Sequence, residues 1–177
     1  MKQLDGTGLK RLHREWRRRT TGRVALLLDG VQQPYNVGAI LRLAAAYRVE
    51  HLWLAGATAP PTAAGARKTA LGADRYLTWT STTDAVDAVH EAKADGWRVV
   101  GIELAQSARP IHEVSLLPAV CLALGHEDRG LSRAALAACD DVAFIPQLGR
   151  IGSLNVASAA AIALYEARRQ DWTTPVP

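Results

Sequence analysis

The chain has 177 residues, 49% of them hydrophobic and 21% charged, which is typical of one globular domain with or without an arm. Its apolar runs are too short to cross a bilayer, and no apolar leader follows the polar start, so we expect a cytoplasmic protein. Cys121 and Cys139 stand in no metal-ligand or redox spacing, and no metal-binding motif is present, which predicts two reduced core thiols and no metal.

Positive charge is concentrated at the N-terminus. Residues 1–23 hold eight basic and two acidic residues, whereas the rest of the chain holds thirteen basic and fifteen acidic ones. Leu9, Leu12 and Trp16 recur at i, i+3 and i+7, which predicts a helix whose apolar stripe docks on the body. The other faces of this helix are basic, which predicts that the helix contacts a polyanion; a helix that is merely solvated is the alternative. The basic residues on these faces are Lys10, Arg11, Arg14, Arg17, Arg18 and Arg19.

Beyond this arm, short apolar runs alternate with helical patterns. The predicted strands span residues 24–28, 51–55, 76–80, 98–102, 120–124 and 142–145. The predicted helices span residues 37–47, 67–71, 83–94, 133–138 and 154–169. Asn36, Thr82 or Thr83, and Ser132 are predicted as N-caps. Strands that are apolar throughout and separated by helices indicate the α/β class, with a mostly parallel sheet and helices on both faces.

Three distant segments each follow a predicted strand and lead into a predicted helix. They span residues 36–42, 124–130 and 145–155. Loops at the carboxyl ends of parallel strands form ligand sites, so we predict that the three segments line one pocket. The glycine fingerprint of dinucleotide-binding enzymes is missing from residues 29–35, and no phosphate-loop, nucleophile-elbow or kinase motif occurs. A dinucleotide-dependent oxidoreductase is therefore disfavoured.

The same three segments resemble the motifs of the SpoU (TrmH-like) family of the SPOUT superfamily, the RNA 2′-O-ribose methyltransferases. The matching residues are Asn36-x-Gly38-x-x-x-Arg42, Leu124-Gly125-x-Glu127-x-x-Gly130-Leu131-Ser132, and Ile145-Pro146 followed by Ser153-Leu154-Asn155-Val156. They occur in the order of the family's motifs. The resemblance divides the chain into an N-terminal RNA-binding arm (1–22), a methyltransferase domain (23–170) and a C-terminal tail (171–177).

The resemblance implies a deep C-terminal trefoil knot, a homodimer and S-adenosylmethionine as the cofactor. Knots are rare, so nothing in the strand pattern itself would have predicted one. The cofactor carries a neutral adenine, a ribose and a sulfonium cation, and it needs an apolar slot with backbone donors and acceptors. The residues expected to bind it are Ile102, Glu103, Leu124, Gly125, Ile145, Leu148, Ser153 and Leu154.

The residues expected to take part in catalysis are Arg42, Asn36, Ser153, Asn155 and Glu127. A guanidinium with a pKa above about 12 is a poor base, so we expect Arg42 to grip a phosphate beside the reacting hydroxyl. Asn36 either orients the ribose or Arg42, or caps its helix. Ser153 and Asn155 either hold the ribose or the methionine end of the cofactor, or cap the last helix. Glu127 is expected to brace its loop by accepting backbone N–H groups.

The substrate implied by this resemblance is RNA, because only RNA has a 2′-hydroxyl. We expect the arm cations, Arg42 and Arg150 to contact its phosphates. A basic helix without a large accessory domain resembles the tRNA enzymes, which favours tRNA and a D-loop guanosine. An anticodon-loop or rRNA target and a non-catalytic RNA-binding dimer on the same fold are the alternatives.

Overall fold

The computed structural model describes residues 3–174, so residues 1–2 of the predicted arm and 175–177 of the predicted tail lie outside its described part. The described strands are β1 (Arg23–Asp29), β2 (Leu52–Ala55), β3 (Trp79–Thr82), β4 (Arg98–Ile102), β5 (Arg109–Pro110), β6 (Ala119–Gly125) and β7 (Asp141–Phe144). They form one sheet in the order β3-β2-β1-β6-β4-β7-β5, and every pairing is parallel. The predicted parallel α/β class is confirmed.

Helices cover both faces of this sheet. The described α-helices are α1 (Gly6–Arg19), α2 (Pro34–Ala46), α3 (Ala64–Ala70), α4 (Ala85–Ala94), α5 (Arg133–Ala138) and α6 (Val156–Thr173). Alternate residues of each strand point to opposite faces. In β1, Leu26 and Leu28 pack in the cluster that includes α2 and α6, whereas Ala25 and Leu27 pack in the cluster that includes α4. Strands buried on both faces explain the continuous apolar runs in the sequence.

Two predicted N-caps are wrong, and one is confirmed. Helix α2 begins at Pro34, so Asn36 lies inside its first turn and leaves its side chain free for other partners. Proline suits the first helical position because its ring fixes a helical φ and its missing N–H would have no partner there. Asp84, not Thr82 or Thr83, caps α4 by accepting from Val86 N at 2.6 Å. Ser132 caps α5 as predicted, with Ala135 N as the donor.

Two strands also differ from prediction. Strand β3 starts at Trp79 rather than residue 76, because residues 73–76 form a 3₁₀ turn after the left-handed Gly72. Strand β5 has two residues, too few to leave a pattern in the sequence. Helix α6 continues to Thr173, so residues 171–173 are helical and do not form a separate tail.

The N-terminal helix docks on the body through its C-terminal end. The rings of Trp16 and Trp172 lie 4.7 Å apart between centroids, and Trp172 Nε1 donates to Thr20 Oγ1 at 2.9 Å. The apolar stripe as a whole is not buried, since Leu9, Leu12 and Trp16 keep 45%, 38% and 36% of their surface exposed. The predicted docking is therefore limited to the ring contact of Trp16 with Trp172.

A buried ion pair of α6, Arg168 with Asp171 at 3.9 Å, fastens the junction between α1 and β1. Asp171 accepts from the backbone N–H of Gly22 at 2.9 Å and from the hydroxyl of Thr21 at 3.0 Å. Arg168, which is almost completely buried, donates to the carbonyl oxygens of Gly22 and Tyr47. Buried charges persist where each is paired and hydrogen-bonded, as here. The arm therefore leaves the body from a fixed point at the end of α6.

Both cysteines are free thiols, with Cys121 buried and Cys139 half-buried. Burial raises the pKa of Cys139 to about 11, so its thiol is protonated near neutral pH. Among residues 3–174, no three His, Cys, Asp or Glu side chains gather as a metal site would require. Over the same residues, no helix has the length and apolarity needed to cross a membrane.

Candidate active site

A pocket of about 520 Å³ opens where β4, β6 and β7 end. Small-molecule sites typically measure about 300–1,000 Å³. The pocket is lined by residues 102–104, 124–130, 144–145, 147 and 152–154, together with Val156 and Ala159 of α6. Two of the three predicted segments therefore form its walls, and the end of β4 completes it. The prediction that residues 36–42 also line the pocket is wrong, because this segment is the first part of helix α2 and none of its residues belongs to the lining.

The predicted cofactor residues line this pocket with one exception. Ile102, Leu124, Ile145 and Leu154 supply apolar wall, and Glu103, Gly125 and Ser153 complete the set. Leu148 is the exception, because its side chain is fully exposed and lies outside the lining. Residues 148–151 of the loop after β7 are all exposed, and none of them belongs to the lining. The prediction that Leu148 forms a wall is wrong for this structure.

Glycines close the loop after β6 tightly. A β-carbon at Gly125 would overlap the carbonyl carbon of Gly130, and Gly130 has the left-handed φ of +67°. Two backbone hydrogen bonds join His126 and Gly130, at 3.0 and 2.9 Å. A side chain is excluded at Gly125 by space, and at Gly130 by space and by conformation. At these two positions the loop therefore presents only backbone to the pocket.

Glu103 braces the same loop from β4. Its carboxylate accepts from Leu131 N at 2.9 Å and from Leu104 N at 3.0 Å. A β-carbon at Gly130 would overlap that carboxylate, so the glycine is also needed for this contact. The backbone N–H of Glu103 donates to Ala143 O at 2.9 Å. This bracing role was not predicted from the sequence. The one signal for it there is an acidic residue directly after a buried strand.

Three predicted catalytic residues meet at the rim of the pocket. Asn36 Nδ2 donates to Glu127 Oε1 at 3.0 Å, and Asn155 Nδ2 donates to Asn36 Oδ1 at 3.1 Å. Glu127 also accepts from the backbone N–H groups of Gln33 and Gln32. Burial opposes ionisation of Glu127, but the hydrogen bonds from Asn36 and from backbone N–H groups lower the pKa of this carboxyl below its ordinary value. The side chain of Asn36 thus links α2 to both pocket loops.

Asn155 has a second task at the start of α6. Its Oδ1 accepts from the backbone N–H groups of Ala157 at 2.9 Å and Ser158 at 3.3 Å, which makes it the N-cap. The capping role weighed for this residue is therefore confirmed, and its amide nitrogen remains available for Asn36. Ser153 is exposed on the pocket rim.

The two arginines predicted to contact RNA near the site lie outside the pocket lining. Arg42 is exposed on α2 and lies six positions after Asn36, about 9 Å along a helix axis. Arg150 is exposed on the loop after β7. Neither forms an ion pair within residues 3–174. The structure therefore brings Asn36, Glu127 and Asn155 together and leaves Arg42 further along α2, exposed and outside the lining.

Comparison with known proteins identifies the family of this chain. Residues 23–165 match the SpoU rRNA Methylase family. The chain belongs to this family. It is 35% identical over 146 residues to the 23S rRNA (guanosine-2′-O-)-methyltransferase RlmB of Acinetobacter baylyi, covering 82% of this chain and 59% of that protein. It is 30% identical over 150 residues to the tRNA (guanosine(18)-2′-O)-methyltransferase of Escherichia coli K12, covering 83% and 63%.

A solved structure of the same family agrees with the fold. The AdoMet-bound rRNA methyltransferase of Sinorhizobium meliloti matches with a TM-score of 0.79 and 30% identity, over 86% of this chain and 58% of that one. The chain spans about six-tenths of the length of the curated relatives it matches. The part that is shared is the domain that carries the pocket.

Proposed function

We propose that this chain is an S-adenosylmethionine-dependent RNA 2′-O-ribose methyltransferase. The observation that carries the proposal is the convergence of loops 124–130 and 145–155 on one pocket, with Asn36, Glu127 and Asn155 hydrogen-bonded at its rim. Membership of the SpoU family and relatives named as ribose methyltransferases support the same reaction.

The pocket residues fit the proposed cofactor. Leu124, Ile145 and Leu154 offer apolar surface to an adenine, and the tight turn between Gly125 and Gly130 lets a ligand approach the backbone closely. When bound, the cofactor supplies an electrophilic methyl group on a sulfonium ion. Walls of this kind also exclude water, which favours a reaction that discharges a cation.

Proton removal is the chemical difficulty of this reaction. A ribose hydroxyl is barely acidic near neutral pH and must lose its proton during or after its attack on the methyl carbon. Glu127 is a poor base here, because its carboxylate is already held by hydrogen bonds and its pKa is lowered. We assign it to bracing, and Asn36 to orienting the ribose.

Arg42 is proposed to grip the phosphate next to the reacting ribose and so to position the 2′-hydroxyl. A guanidinium matches phosphate oxygens bidentately and stays charged, which suits it to holding rather than to accepting a proton. Because Arg42 is exposed and lies beyond the lining, the RNA strand has to run from the pocket rim along α2. Ser153, on the opposite rim, is proposed to contact the ribose or the methionine end of the cofactor.

The C-terminal half is proposed to form the trefoil knot of the family. Strand β7 inserts between β4 and β5, and the chain then continues into α6. Gln170 of α6 donates to Val114 O at 3.1 Å and accepts from Leu116 N at 2.9 Å, so the segment that leads into β6 lies against α6. These contacts support threading of the chain through that segment, which a continuous experimental trace of residues 103–156 would test.

A homodimer built on α6 is proposed as the working assembly. Ala160 and Ala163 are fully buried against their own chain, so they are not available for close contact with a partner. Ile162 and Tyr165 of the same helix remain about half exposed and are the apolar residues it offers to a second copy. Light scattering should give twice the mass of one chain.

We favour tRNA as the substrate, with a D-loop guanosine as the target. The arm supports this choice, because α1 carries a cluster of arginines on its surface and is fixed to the body at Trp16. An rRNA substrate is the second candidate, favoured by the higher identity to RlmB than to the tRNA enzyme.

One experiment separates these functions. The protein is incubated with cofactor labelled in the methyl group and with bulk tRNA or bulk rRNA, and the RNA is then digested to nucleosides. The proposal predicts label in a 2′-O-methylnucleoside, from tRNA if the favoured substrate is right and from rRNA if the second candidate is. RNA binding without label in either RNA would favour a non-catalytic RNA-binding dimer instead.

A further inference from the structure

Tyr35 is a large aromatic residue exposed beside the proposed active site. It is the second residue of α2, directly before Asn36, and 56% of its surface is exposed. Asn36 contacts both pocket loops, so the backbone of Tyr35 lies within one residue of the rim. A tyrosine that served only the core would bury its ring; this one is largely open to solvent.

One face of the ring is turned toward α3. A β-carbon built on Gly65 would lie 3.6 Å from both Cε1 and Cε2 of Tyr35, with no ring atom nearer, so it stands over the face of the ring. The hydroxyl of Thr69 donates to the carbonyl oxygen of Tyr35 at 3.1 Å. At Gly38 a β-carbon would overlap Thr69 and Ala66, which shows how closely α2 and α3 pack. One face of the ring therefore lies toward Gly65 of α3, the backbone of Tyr35 is tied to Thr69, and the rest of the ring is open to solvent.

Two exposed cations stand on the helix that faces this ring. Lys68 follows Gly65 by three residues on α3, so the two lie on the same side of that helix, whereas Arg67, two residues after Gly65, lies on another side. Both are exposed, and neither forms an ion pair in the part of the chain that the structure describes. A fixed aromatic face with unpaired cations beside it matches a nucleotide, whose base stacks on the ring and whose phosphate meets the charge.

We propose that the free face of Tyr35 stacks against a base of the RNA strand and so positions its ribose at the rim of the pocket. The inference rests on the proposed function, and it adds a positioning residue outside the motifs. Single-stranded RNA is recognised largely by unstacked bases on aromatic side chains. A bare ring held before the RNA arrives loses little freedom on binding, which is what a stacking platform requires.

The test compares Tyr35→Leu with Tyr35→Phe in methyl transfer to whichever bulk RNA wild type labels. Leucine still covers Gly65 but has no π-face, and phenylalanine keeps the face. We expect Tyr35→Leu to raise the KM for RNA roughly 5- to 100-fold, the range that loss of one base–aromatic stack produces. Tyr35→Phe should keep the wild-type KM. The affinity for S-adenosylmethionine and the Tm should be unchanged in both variants, whereas a merely structural role would lower the Tm.

Two further variants sharpen the result. Tyr76→Leu is the matched control, since Tyr76 is an even more exposed tyrosine and has no glycine beneath its ring. It should keep the wild-type KM. Lys68→Glu leaves the ring intact and should raise the KM for RNA, so the proposal stays testable if Tyr35→Leu fails to fold.

A folded Tyr35→Leu with the wild-type KM, or an equal effect of Tyr76→Leu, would overturn the stacking role. The proposed function is tested separately, by methyl transfer with the wild-type protein. If wild type transfers no methyl group, that function fails. Fluorescence anisotropy with labelled bulk tRNA, comparing wild type with Tyr35→Leu, would then still decide whether Tyr35 contributes to RNA binding.

Discussion

At the scale of single residues, the site depends on the side chain of Asn36. It joins Glu127 of one loop to Asn155 at the start of α6, so three distant segments are fixed by two hydrogen bonds. Polar groups that satisfy one another specify a geometry, and loss of one leaves its partners without that bond. The position of Asn36 inside the first turn, rather than before it, is what directs its amide to the pocket rim.

Glu127→Gln tests this arrangement through pH. The pKa of Glu127 is lower in the folded protein than in the unfolded chain, so its stabilising effect is present above the unfolded pKa of about 4.3 and is lost as the pH falls through the folded value. We expect the variant to be about 1 kcal/mol less stable than wild type at pH 7. Denaturant unfolding of both proteins should show that gap closing below about pH 4. A gap that does not change with pH would contradict the bracing role.

Arg42→Ala tests the proposed phosphate grip. The guanidinium is exposed and lies outside the cofactor pocket, so its loss should leave the fold and cofactor binding intact. Single-turnover methyl transfer should fall almost to background, while calorimetry with S-adenosylmethionine gives the wild-type affinity. Arg42→Lys, which keeps the charge without the planar fork, should retain part of the activity. A fully active Arg42→Ala would remove this residue from the reaction.

At the scale of elements, the close contact between α2 and α3 allows a direct test of packing. A β-carbon at Gly38 would overlap the hydroxyl of Thr69 and the carbonyl oxygen of Ala66. Gly38→Ala should therefore destabilise the protein by about 1–3 kcal/mol, the usual cost of overpacking. Gly149→Ala is the control, since nothing lies within 4 Å of its added methyl group. Equal unfolding free energies for the two variants would contradict the close approach.

The proposed contact between the arm and RNA predicts how RNA binding depends on salt. Replacing Arg17, Arg18 and Arg19 by alanine removes three exposed cations at the end of α1 without touching the pocket. RNA binding should weaken, and the slope of log affinity against log salt should fall by up to about 2–3, since each lost phosphate contact lowers it by about 0.7–0.9. Binding measured from low to high salt gives this slope directly. An unchanged slope would place the RNA away from the arm.

At the scale of the whole molecule, the sequence predicted the sheet and most of the pocket for a physical reason. Strands buried on both faces leave continuous apolar runs, and their ends locate the ligand loops. What it could not predict depends on contacts between distant residues. The brace from Glu103 to Leu131 and the free ring of Tyr35 over Gly65 leave no local pattern. The prediction that Leu148 lines the pocket was wrong for the same reason, since the path of an exposed loop is not set by its own residues.

The most direct measurement of the central claim is calorimetric titration with S-adenosylmethionine, run on wild type and two variants of the loop after β7. Leu154 lines the pocket and is 37% exposed, so arginine there should obstruct the pocket without unfolding the protein. Ile151, on the same loop but 78% exposed and outside the lining, is the matched control. We predict micromolar binding by wild type and Ile151→Arg, and affinity weakened roughly tenfold or more in Leu154→Arg. No binding by wild type, or equal binding by Leu154→Arg, would contradict the assignment of this pocket.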